Sequence, residues 1–518
     1  MNNVNISKVY LLGVPLENDY KNTLYFANAS AQQSYFASQV KFSFTDFSYQ
    51  RKDHFIRVPR GYDDVYKCNY VMYQNSAYSN KWFYAFITNI EYVDDGRTDV
   101  YIETDVIQTW LFDYTVKASF VEREHVSDDT IGLHTIPENL ETGEYIVNTK
   151  SSESQNLALC CVVGSTASPG ELANFFGGKY NGIPSGIKYY RWGLNEITTH
   201  DGGVNSLQSY LEMLERNGKS DAVSTLFLAP IWLAGNPAQH VIVDNSNSVG
   251  EFEFTAPRIT ALDTYVPRNK KLLTYPFCYM NLSNGQGSNA ILHQELWSDS
   301  DVSGYVATKV YGCLVPGCSI RAIPKNYKGI EINYDEGVNL GKFPQLNWTT
   351  DQYTNWLTQN GVNIATSVGG GLLATGVGVA TGNPVAVGGG LLSIANSVGE
   401  VYKHSLVPPQ VEGNLNNGDV TTASGHNCFI IYNMTIRREY AQIIDKYFDM
   451  FGYKVNLVKV PNSNHRANWW YTKTIDVNID GDIPNNDMQK IKDCYNKGIT
   501  FWKNASNIQN YSLSNNIV

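Results

Sequence analysis

An acidic stretch near the end of the chain has the spacing of a calcium-binding loop. Its oxygen-bearing side chains take positions one, three, five and twelve, at Asp476, Asn478, Asp480 and Asp487, with Gly481 at position six. Ca²⁺ prefers such oxygen ligands, although position twelve usually carries a bidentate Glu. The alternative is a strand-to-helix turn in which Asp482 or Asn485 accepts hydrogen bonds from free N–H groups at the helix start. The sequence favours the turn, and we predict no metal site.

A second charged group, Glu122-Arg123-Glu124-His125, has the residue types of acid–base catalysis, because His titrates near neutrality and a carboxylate can orient it. It follows a strand-like pair, so we interpret it as a solvated or subunit-interface charge cluster. The chain has no Gly-x-Ser-x-Gly, His-Glu-x-x-His or Gly-x-x-x-x-Gly-Lys-Ser/Thr motif. We therefore expect no catalytic residues, no cofactor and no enzymatic activity.

Composition restricts the classes of function. Of the 518 residues, 43% are hydrophobic and 17% are charged, and the net charge is −10. This composition argues against a protein that binds nucleic-acid phosphates in a cleft, because the affinity for phosphates comes mainly from Lys and Arg. It is compatible with a channel that lets DNA slide. The eight dispersed cysteines indicate free thiols made in a reducing cytoplasm, and the first residues lack a secretion-signal pattern.

The elements that must position these groups are mostly strands. Up to about residue 125 the chain is typical of antiparallel sheet, with its clearest hairpin formed by Trp82–Val93 and Arg97–Gln108 around Asp94-Asp95-Gly96. Alternation in the second strand extends to Val106. From 126 to 345 the pattern predicts a mixed, mainly β region with one helix at Leu207–Arg216.

The C-terminal part has the order strand, helix, strand, strand, helix, strand, at Cys428–Ile436, Tyr440–Phe451, Tyr453–Val460, Trp469–Val477, Asn486–Lys497 and Ile499–Trp502. This order predicts a split βαβ unit. The first of these helices should bury one face, formed by Ile443, Ile444, Tyr447, Phe448 and Phe451, and should end at Gly452. The expected fold class is α+β, mainly β, with domains at 1–125, 126–345 and 411–518 and an apolar insert at 346–410.

That insert contains the most unusual stretch of the chain, Gln352–Gly399, which has no Asp, Glu, Lys, Arg or His. Soluble loops need solvated residues and amphipathic helices need a polar face, so such a run is either enclosed or meets lipid. Gly382-Asn383-Pro384 divides it into two apolar arms of about twenty and fifteen residues, and a helix of twenty residues reaches about 30 Å, the thickness of the bilayer core.

The expected membrane-active residues combine apolar side chains with small residues at four-residue spacing, which permits close helix packing in membranes. In the longer arm, Val, Ile and Leu together contribute only about −2 to −4 kcal/mol to insertion, which indicates a conditional hairpin rather than a permanent anchor. The residues are Val362, Ile364, Val368, Gly370, Leu372, Leu373, Ala374, Val377, Gly378, Val379, Gly382, Pro384, Val385, Val387, Gly390, Leu391, Leu392, Ile394 and Val398. Two alternatives stay open: a Gly-rich soluble or occluding loop, and a buried helical hairpin of an ordinary core.

Several strings resemble the tail-knob (distal tail tube) proteins of small short-tailed bacteriophages of Gram-positive hosts, podoviruses of the Picovirinae type. They cover roughly the first 125 and last 100 residues, and the apolar insert is followed by Pro408-Pro409-Gln410 as in that family. The strings are Asp19-Tyr-Lys-Asn-Thr23, Asn80-Lys-Trp-Phe-Tyr-Ala-Phe86, Thr104-Asp-Val-Ile-Gln-Thr-Trp110, Phe120-Val-Glu-Arg-Glu-His-Val126, Gly452-Tyr-Lys-Val-Asn456, Gly481-Asp-Ile483, Asn485-Asn-Asp487 and Asn496-Lys-Gly-Ile-Thr-Phe-Trp502.

The resemblance implies a virion protein at the tail tip, made in the host cytoplasm and assembled as a homohexamer with other tail proteins of the collar, tube and tip. It implies a β-rich tube through which genomic DNA leaves without sequence recognition. The apolar inserts would first plug the lumen and then penetrate the lipids of the host cytoplasmic membrane. The alternative function is a tail-tip module that binds or degrades the host cell wall, in which the insert is only a plug.

Overall fold

The computed structural model describes residues 7–47, 54–75, 79–154, 159–168, 178–180, 183–185, 187–193, 196, 206–219, 222–235, 251–285, 287–315, 318–328, 335–340, 345–348, 411–413 and 428–518. Within them the chain divides into two compact units. The first unit contains Met1–Thr142, Pro267–Leu272 and Arg438–Val518, and the second contains Gly143–Val266 and Leu273–Arg437. The N-terminal and C-terminal segments, predicted as separate domains, both contribute to the first unit.

Strands dominate the described residues. The N-terminal elements are β1 (Ser7–Leu12), β2 (Asn22–Leu24), α1 (Ala29–Ser38), β3 (Val40–Phe47), β4 (Phe55–Val58), α2 (Tyr62–Val65), β5 (Tyr70–Asn75), β6 (Trp82–Asp94), β7 (Arg97–Thr104), α3 (Val106–Trp110), β8 (Tyr114–Val116) and β9 (Ser119–Glu124).

The middle elements are β10 (Tyr145–Ser154), β11 (Leu159–Ser165), β12 (Gly178–Tyr180), β13 (Ile183–Ser185), β14 (Lys188–Gly193), α4 (Leu207–Arg216), β15 (Val223–Pro230), α5 (Ile231–Ala234), β16 (Glu251–Pro257), β17 (Cys278–Ser283), β18 (Asn289–Leu292), β19 (Tyr305–Cys313), β20 (Ser319–Pro324), β21 (Val338–Leu340), β22 (Gln345–Trp348) and β23 (Val411–Gly413). The last elements are β24 (Cys428–Ile436), α6 (Arg438–Phe451), β25 (Tyr453–Lys459), β26 (Trp469–Ile475), β27 (Ile479–Gly481), α7 (Asn485–Lys497) and β28 (Ile499–Trp502). These elements confirm the mainly β α+β class.

The first unit is built on a six-stranded sheet, β3-β1-β5-β6-β7-β4, and a five-stranded sheet, β2-β28-β26-β9-β25. Strand β5 is buried on both faces: Val71 and Tyr73 join one apolar cluster, while Tyr70 and Met72 join another. Alternate residues of a strand point to opposite faces, so this pattern places apolar layers on both sides of the sheet. The second layer includes Trp469 and Trp502, whose ring centroids are 4.9 Å apart.

In the described part of the second unit there are three larger sheets. They are β10-β24-β17-β18, β16-β19-β20-β21 and β14-β11-β15-β22-β23, and the last of these is called the framing sheet below. Helix α4 and strand β24 begin and end where the sequence predicted. All eight cysteines lie in the described residues and are free, including Cys313 and Cys318.

The predicted C-terminal split βαβ unit is wrong in its pairing, although the order of elements is right. Strand β24 pairs with β10 and β17 in the second unit, whereas β25, β26 and β28 belong to a sheet of the first unit. Strand β9 lies between β25 and β26 and pairs antiparallel with both. Local periodicity predicts that a segment forms a strand, but it does not predict which strand it pairs with. Here β9, from an earlier part of the chain, lies between β25 and β26.

Two local predictions also need correction. Val106 does not continue strand β7; it is the first residue of α3, because the side chain of Asp105 caps that helix by accepting a hydrogen bond from the Gln108 N–H at 3.0 Å. In α6, Ile443 is 66% exposed. The buried face carries Asp445 and Asp449 beside its apolar residues, a choice that hydrophobicity alone does not predict.

Gly452 ends α6 as predicted. Its φ is +64°, and its N–H donates to the carbonyl of Phe448 at 2.8 Å. A Cβ at this position would lie 2.1 Å from the carbonyl oxygen of Glu124, in strand β9. Glycine is therefore needed both for the left-handed turn and for the close approach of the helix end to the sheet.

Candidate functional site

The uncharged segment, Gln352–Gly399, lies in the part of the chain that connects two neighbouring strands. Strands β22 and β23 are antiparallel, with Leu346 opposite Gly413, Asn347 opposite Glu412 and Trp348 opposite Val411. The chain therefore leaves the sheet after Trp348 and re-enters it at Val411, directly across the ladder. The predicted membrane-active residues, Val362 to Val398, lie outside the described residues, so what the structure provides is their anchor.

The short β22–β23 ladder needs the rest of the framing sheet. Closing a loop the length of residues 349–410 costs roughly 4 kcal/mol of chain entropy, whereas each backbone hydrogen bond returns only about 1 kcal/mol net. Strand β22 also pairs with β15, from Thr225 opposite Asn347 to Phe227 opposite Gln345. Strand β15 in turn pairs with β11 along most of its length.

Strand β15 is firmly embedded. Phe227, Leu228 and Ala229 are almost fully buried. Burying one large apolar side chain stabilises a fold by about 1.5–3 kcal/mol, so β15 is a stable neighbour on which β22 can pair. The framing sheet thus holds the two ends of the connection 349–410 next to each other.

The Glu122–His125 cluster lies in the first unit, and the expectation that it is solvated is wrong for three of its four residues. Arg123, Glu124 and His125 are buried. Glu124 accepts hydrogen bonds from Lys459 Nζ at 2.6 Å and from the backbone N–H of Asn462 at 2.7 Å. Strand β9 is a central strand because β25 and β26 pair with its two edges. This position encloses the charges of Arg123 and Glu124.

His125 is held in the neutral form. Its Nδ1 accepts a hydrogen bond from the Tyr471 N–H at 2.8 Å, and its Nε2–H donates to the carbonyl of Asp449 at 3.1 Å. Burial, and then the positive charge of Arg466, lower the pKa of His125 to about 3. A buried imidazole with both nitrogens used and so low a pKa is not suited to acid–base catalysis near neutrality.

The most charged part of this interior surrounds residues Pro267–Leu272, called the strap below. Glu138 forms ion pairs with both Arg123 and Lys271, and all three side chains are almost fully buried. Burial lowers the pKa of Lys271, while the nearby Glu138 carboxylate opposes this shift. Charges enclosed in this way are tolerated only when they are paired.

Two buried carboxylates of α6 hold the other end of the strap. Asp445 accepts hydrogen bonds from the backbone N–H groups of Arg268 at 2.8 Å and Asn269 at 3.0 Å. The side-chain amide of Asn269 donates to Asp445 and Asp449, at 2.8 Å each, and Arg268 forms an ion pair with Asp449. Burial raises the pKa of Asp449 to about 6.

Sequence reasoning missed the strap and its partners. A usable signal was present in α6, where Asp445 and Asp449 are four residues apart and directly follow the buried residues Ile444 and Phe448. Glu138 gave no such signal, because it lies in an irregular segment without periodicity. The arrangement is structural, since the hydrogen bonds and ion pairs of these carboxylates go to the protein itself.

The calcium-like stretch contains β27 and continues through a turn at residues 482–484 into the first residues of α7. Asp480 forms an ion pair with Lys117 at 3.3 Å, and the buried Asp487 accepts a hydrogen bond from the indole of Trp110 at 2.9 Å. Within the described residues no group of three His, Cys, Asp or Glu side chains is arranged to hold a metal. The helix starts near the expected residue, but Pro484 occupies the N-cap and no side chain caps it, so the expected capping by Asp482 or Asn485 is wrong.

Among the residues that the structure describes, no helix combines the length and the apolar character needed to cross a bilayer.

Family models match two separate parts of the chain. Residues 243–516, more than half of it, match the model described as the C-terminal domain of the tail knob protein gp9 of Bacillus phage phi29. Residues 5–115 match the N-terminal region of caudoviral major tail proteins.

Individual proteins are similar along nearly the whole chain. The tail knob protein gp9 of Bacillus phage B103 is 27% identical, with 97% of each chain covered, and that of phage phi29 is 26% identical, with 98% of each covered. The solved structure of the tail knob protein gp12 of bacteriophage C1 aligns with a TM-score of 0.65 over 99% of this chain and all of its own, at 14% identity, and thus shares the fold. With the gp9 model matching more than half of its length, the chain belongs to the phage tail knob protein family and is a structural component of the virion tail.

Proposed function

We propose that this tail knob protein forms a homohexameric tube at the tail tip through which genomic DNA leaves the virion. In this proposal the uncharged segments plug the lumen before infection and afterwards insert into the host cytoplasmic membrane. The observation that supports the proposal is that a stretch without any charge, Gln352–Gly399, lies in the connection between two strands that pair with each other from Trp348 and Val411.

Energetics support conditional insertion. Each Val, Ile or Leu contributes about −0.3 to −0.6 kcal/mol to insertion, so one arm alone is marginal. In a ring the segments of all subunits enter the same membrane area, and their insertion free energies add. A base that holds both ends together keeps the two arms side by side during that step.

Electrostatics support a conduit. The net charge is −10, and each additional Lys or Arg on a lumen wall would retain the polyanion in a salt-dependent way. The role is mechanical rather than enzymatic, and the partners are further tail proteins of the collar, tube and tip. Lipid is met only by the uncharged segment.

The test is dye release from liposomes by purified rings. Replacing residues 361–399 with a Gly/Ser linker of equal length should leave ring assembly intact in electron micrographs and abolish release. A sharper variant is Leu372→Glu, because a carboxylate at a helix centre in the membrane costs roughly 3 kcal/mol in each subunit. Leu372→Ile is the matched control and should release dye normally. Unchanged leakage from the linker variant would refute the membrane role, and a compact monomer in micrographs would refute the tube.

A further inference from the structure

A polar pocket of about 570 Å³ opens in the first unit. Its polar lining comes from four parts of the chain: Glu17, Asp19 and Asn22 before and within β2, Tyr35 and Gln39 at the end of α1, Asn69 before β5, and Ser506 and Gln509 after β28. The buried side chains of Val14 and Leu16 form part of its wall. The volume is that of a site for a small molecule.

Two asparagines in the lining are fixed in orientation. The indole N–H of the buried Trp502 donates to Asn22 Oδ1 at 2.9 Å, so the Asn22 NH₂ group is the part left to donate to a ligand. Asn69 holds the neighbouring wall, since its side chain bonds the N–H of Val14 at 2.9 Å and the carbonyl of Val14 at 2.7 Å. These two side chains are therefore pre-arranged before any ligand arrives.

Charge narrows the class of ligand. Among the residues that the structure describes, no Lys, Arg or His lines the pocket, whereas the carboxylates of Glu17 and Asp19 do. Asp19 is paired with Lys21 at 3.0 Å, but Glu17 is exposed and has no hydrogen bond or ion pair within the described residues. Such a pocket repels phosphate-bearing polymers and accepts groups that donate hydrogen bonds, such as hydroxyls.

An aromatic ring completes the set. Tyr35 is half-buried and packs against Phe36 with ring centroids 5.2 Å apart, so its ring is held in place at the pocket wall. Aromatic rings pack well against the C–H faces of sugars while amides and carboxylates bond the hydroxyls. We propose that this pocket binds a neutral saccharide of one or two rings. The proposal stands on the pocket alone and does not depend on the membrane role.

The experiment is a titration of the full-length protein, assembled as purified, with N,N′-diacetylchitobiose and with maltose, followed by saturation-transfer NMR and calorimetry. At least one disaccharide should bind, and poly(glycerol phosphate) should not compete. Glu17→Ala should weaken binding about tenfold, since a hydrogen bond to a charged group is lost. Gln39→Ala should weaken it by a smaller factor.

Glu141→Ala is the matched control, because Glu141 is likewise exposed but lies outside the pocket; its affinity should be that of the wild type. Binding to glycan sacculi stripped of anionic polymers, compared with binding to the free disaccharide, distinguishes a wall polymer from a free sugar as the source. Lack of binding by both disaccharides, equal affinity of the Glu17→Ala variant, or preference for the anionic polymer would overturn the proposal. Glu17→Ala rings should still release dye from liposomes, so the two proposals fail independently.

Discussion

The interior around the strap in the first unit and the framing sheet in the second unit are stabilised in opposite ways. Around the strap, the buried groups are charged: Glu138 pairs with Arg123 and Lys271, and Asp445 and Asp449 bind Arg268 and Asn269. In the framing sheet, the buried side chains are mostly apolar or aromatic, among them Val162, Val163, Trp192, Phe227 and Leu228.

The two regions differ in which substitutions they can tolerate. A buried charge has lost its hydration, so removing one partner leaves the other uncompensated, and a change of a single atom is costly. An apolar sheet loses stability in proportion to the volume removed and is indifferent to pH. The strap region thus depends on the pairing of individual charged atoms, while the framing sheet depends on the shape and burial of its apolar side chains.

The largest expected effect is at Glu138. Glu138→Gln keeps the side-chain shape but leaves Arg123 and Lys271 without a counter-charge in the interior, and should lower the free energy of unfolding by about 4 kcal/mol. Urea denaturation monitored by tryptophan fluorescence measures this. The exposed Glu141→Gln is the control and should change little. A loss below about 1 kcal/mol would show that solvent reaches the cluster and that the charged interior is not specified by pairing.

A slightly smaller effect is expected in the apolar region. Phe227→Ala removes a fully buried ring from β15 and should cost about 3 kcal/mol, mainly through the cavity left behind. The loss should be the same at pH 5 and pH 8, because no ionisable group is removed. A loss that varied with pH would contradict the contrast between the two regions. The exposed Val147→Ala in the same unit serves as control.

The pH dependence sharpens the comparison further. Above pH 6.5 His125 is neutral in both folded and unfolded chains; below it the unfolded chain takes up the proton first, because the folded pKa is about 3. Stability should therefore fall as pH falls, by about 2 kcal/mol from this group at pH 5. Asp449, whose folded pKa is raised to about 6, works in the opposite direction over part of this range, since its ionised form is the costly one.

The contribution of His125 to the pH dependence of stability is measured by comparing the wild type with His125→Asn. This variant lacks the titrating imidazole but retains Asp449. The variant should have a lower stability at pH 7 and a weaker decline towards pH 5. Parallel profiles for the two proteins would mean that His125 is not held neutral by burial.

Sequence alone predicted the tail knob family, and this was confirmed. It also predicted the elements with strong local signals: the β6–β7 hairpin around Asp94-Asp95-Gly96, helix α4 and the stop of α6 at Gly452. Each depends on residues close together in the chain, such as a turn or a helix end.

The features that the sequence did not predict depend on partners that are distant in the chain. Strand β9 is central only because β25 and β26, more than three hundred residues later, pair with it, and Arg123 and His125 are buried for the same reason. Likewise Asp445 faces inward because the strap supplies N–H donors to it. The membrane-active residues from Val362 to Val398 stay a prediction from composition, while their anchor at Trp348 and Val411 was not foreseen.

The smallest expected effect is at Asp480, in the calcium-like stretch. Its ion pair with Lys117 is exposed on both sides, so Asp480→Ala should change stability by less than about 0.5 kcal/mol. Calcium needs six or more oxygen ligands converging on one point, yet the twelfth position, Asp487, is buried and bonded to the Trp110 indole. Calcium at roughly 10 mM should therefore leave the melting temperature of both proteins unchanged, because a ligand stabilises only the state that binds it. A melting temperature that rises with calcium in the wild type but not in Asp480→Ala would instead mean that the turn opens to bind the ion. The exposed charges of this stretch would then respond to a ligand, whereas the buried charges around the strap respond to pH.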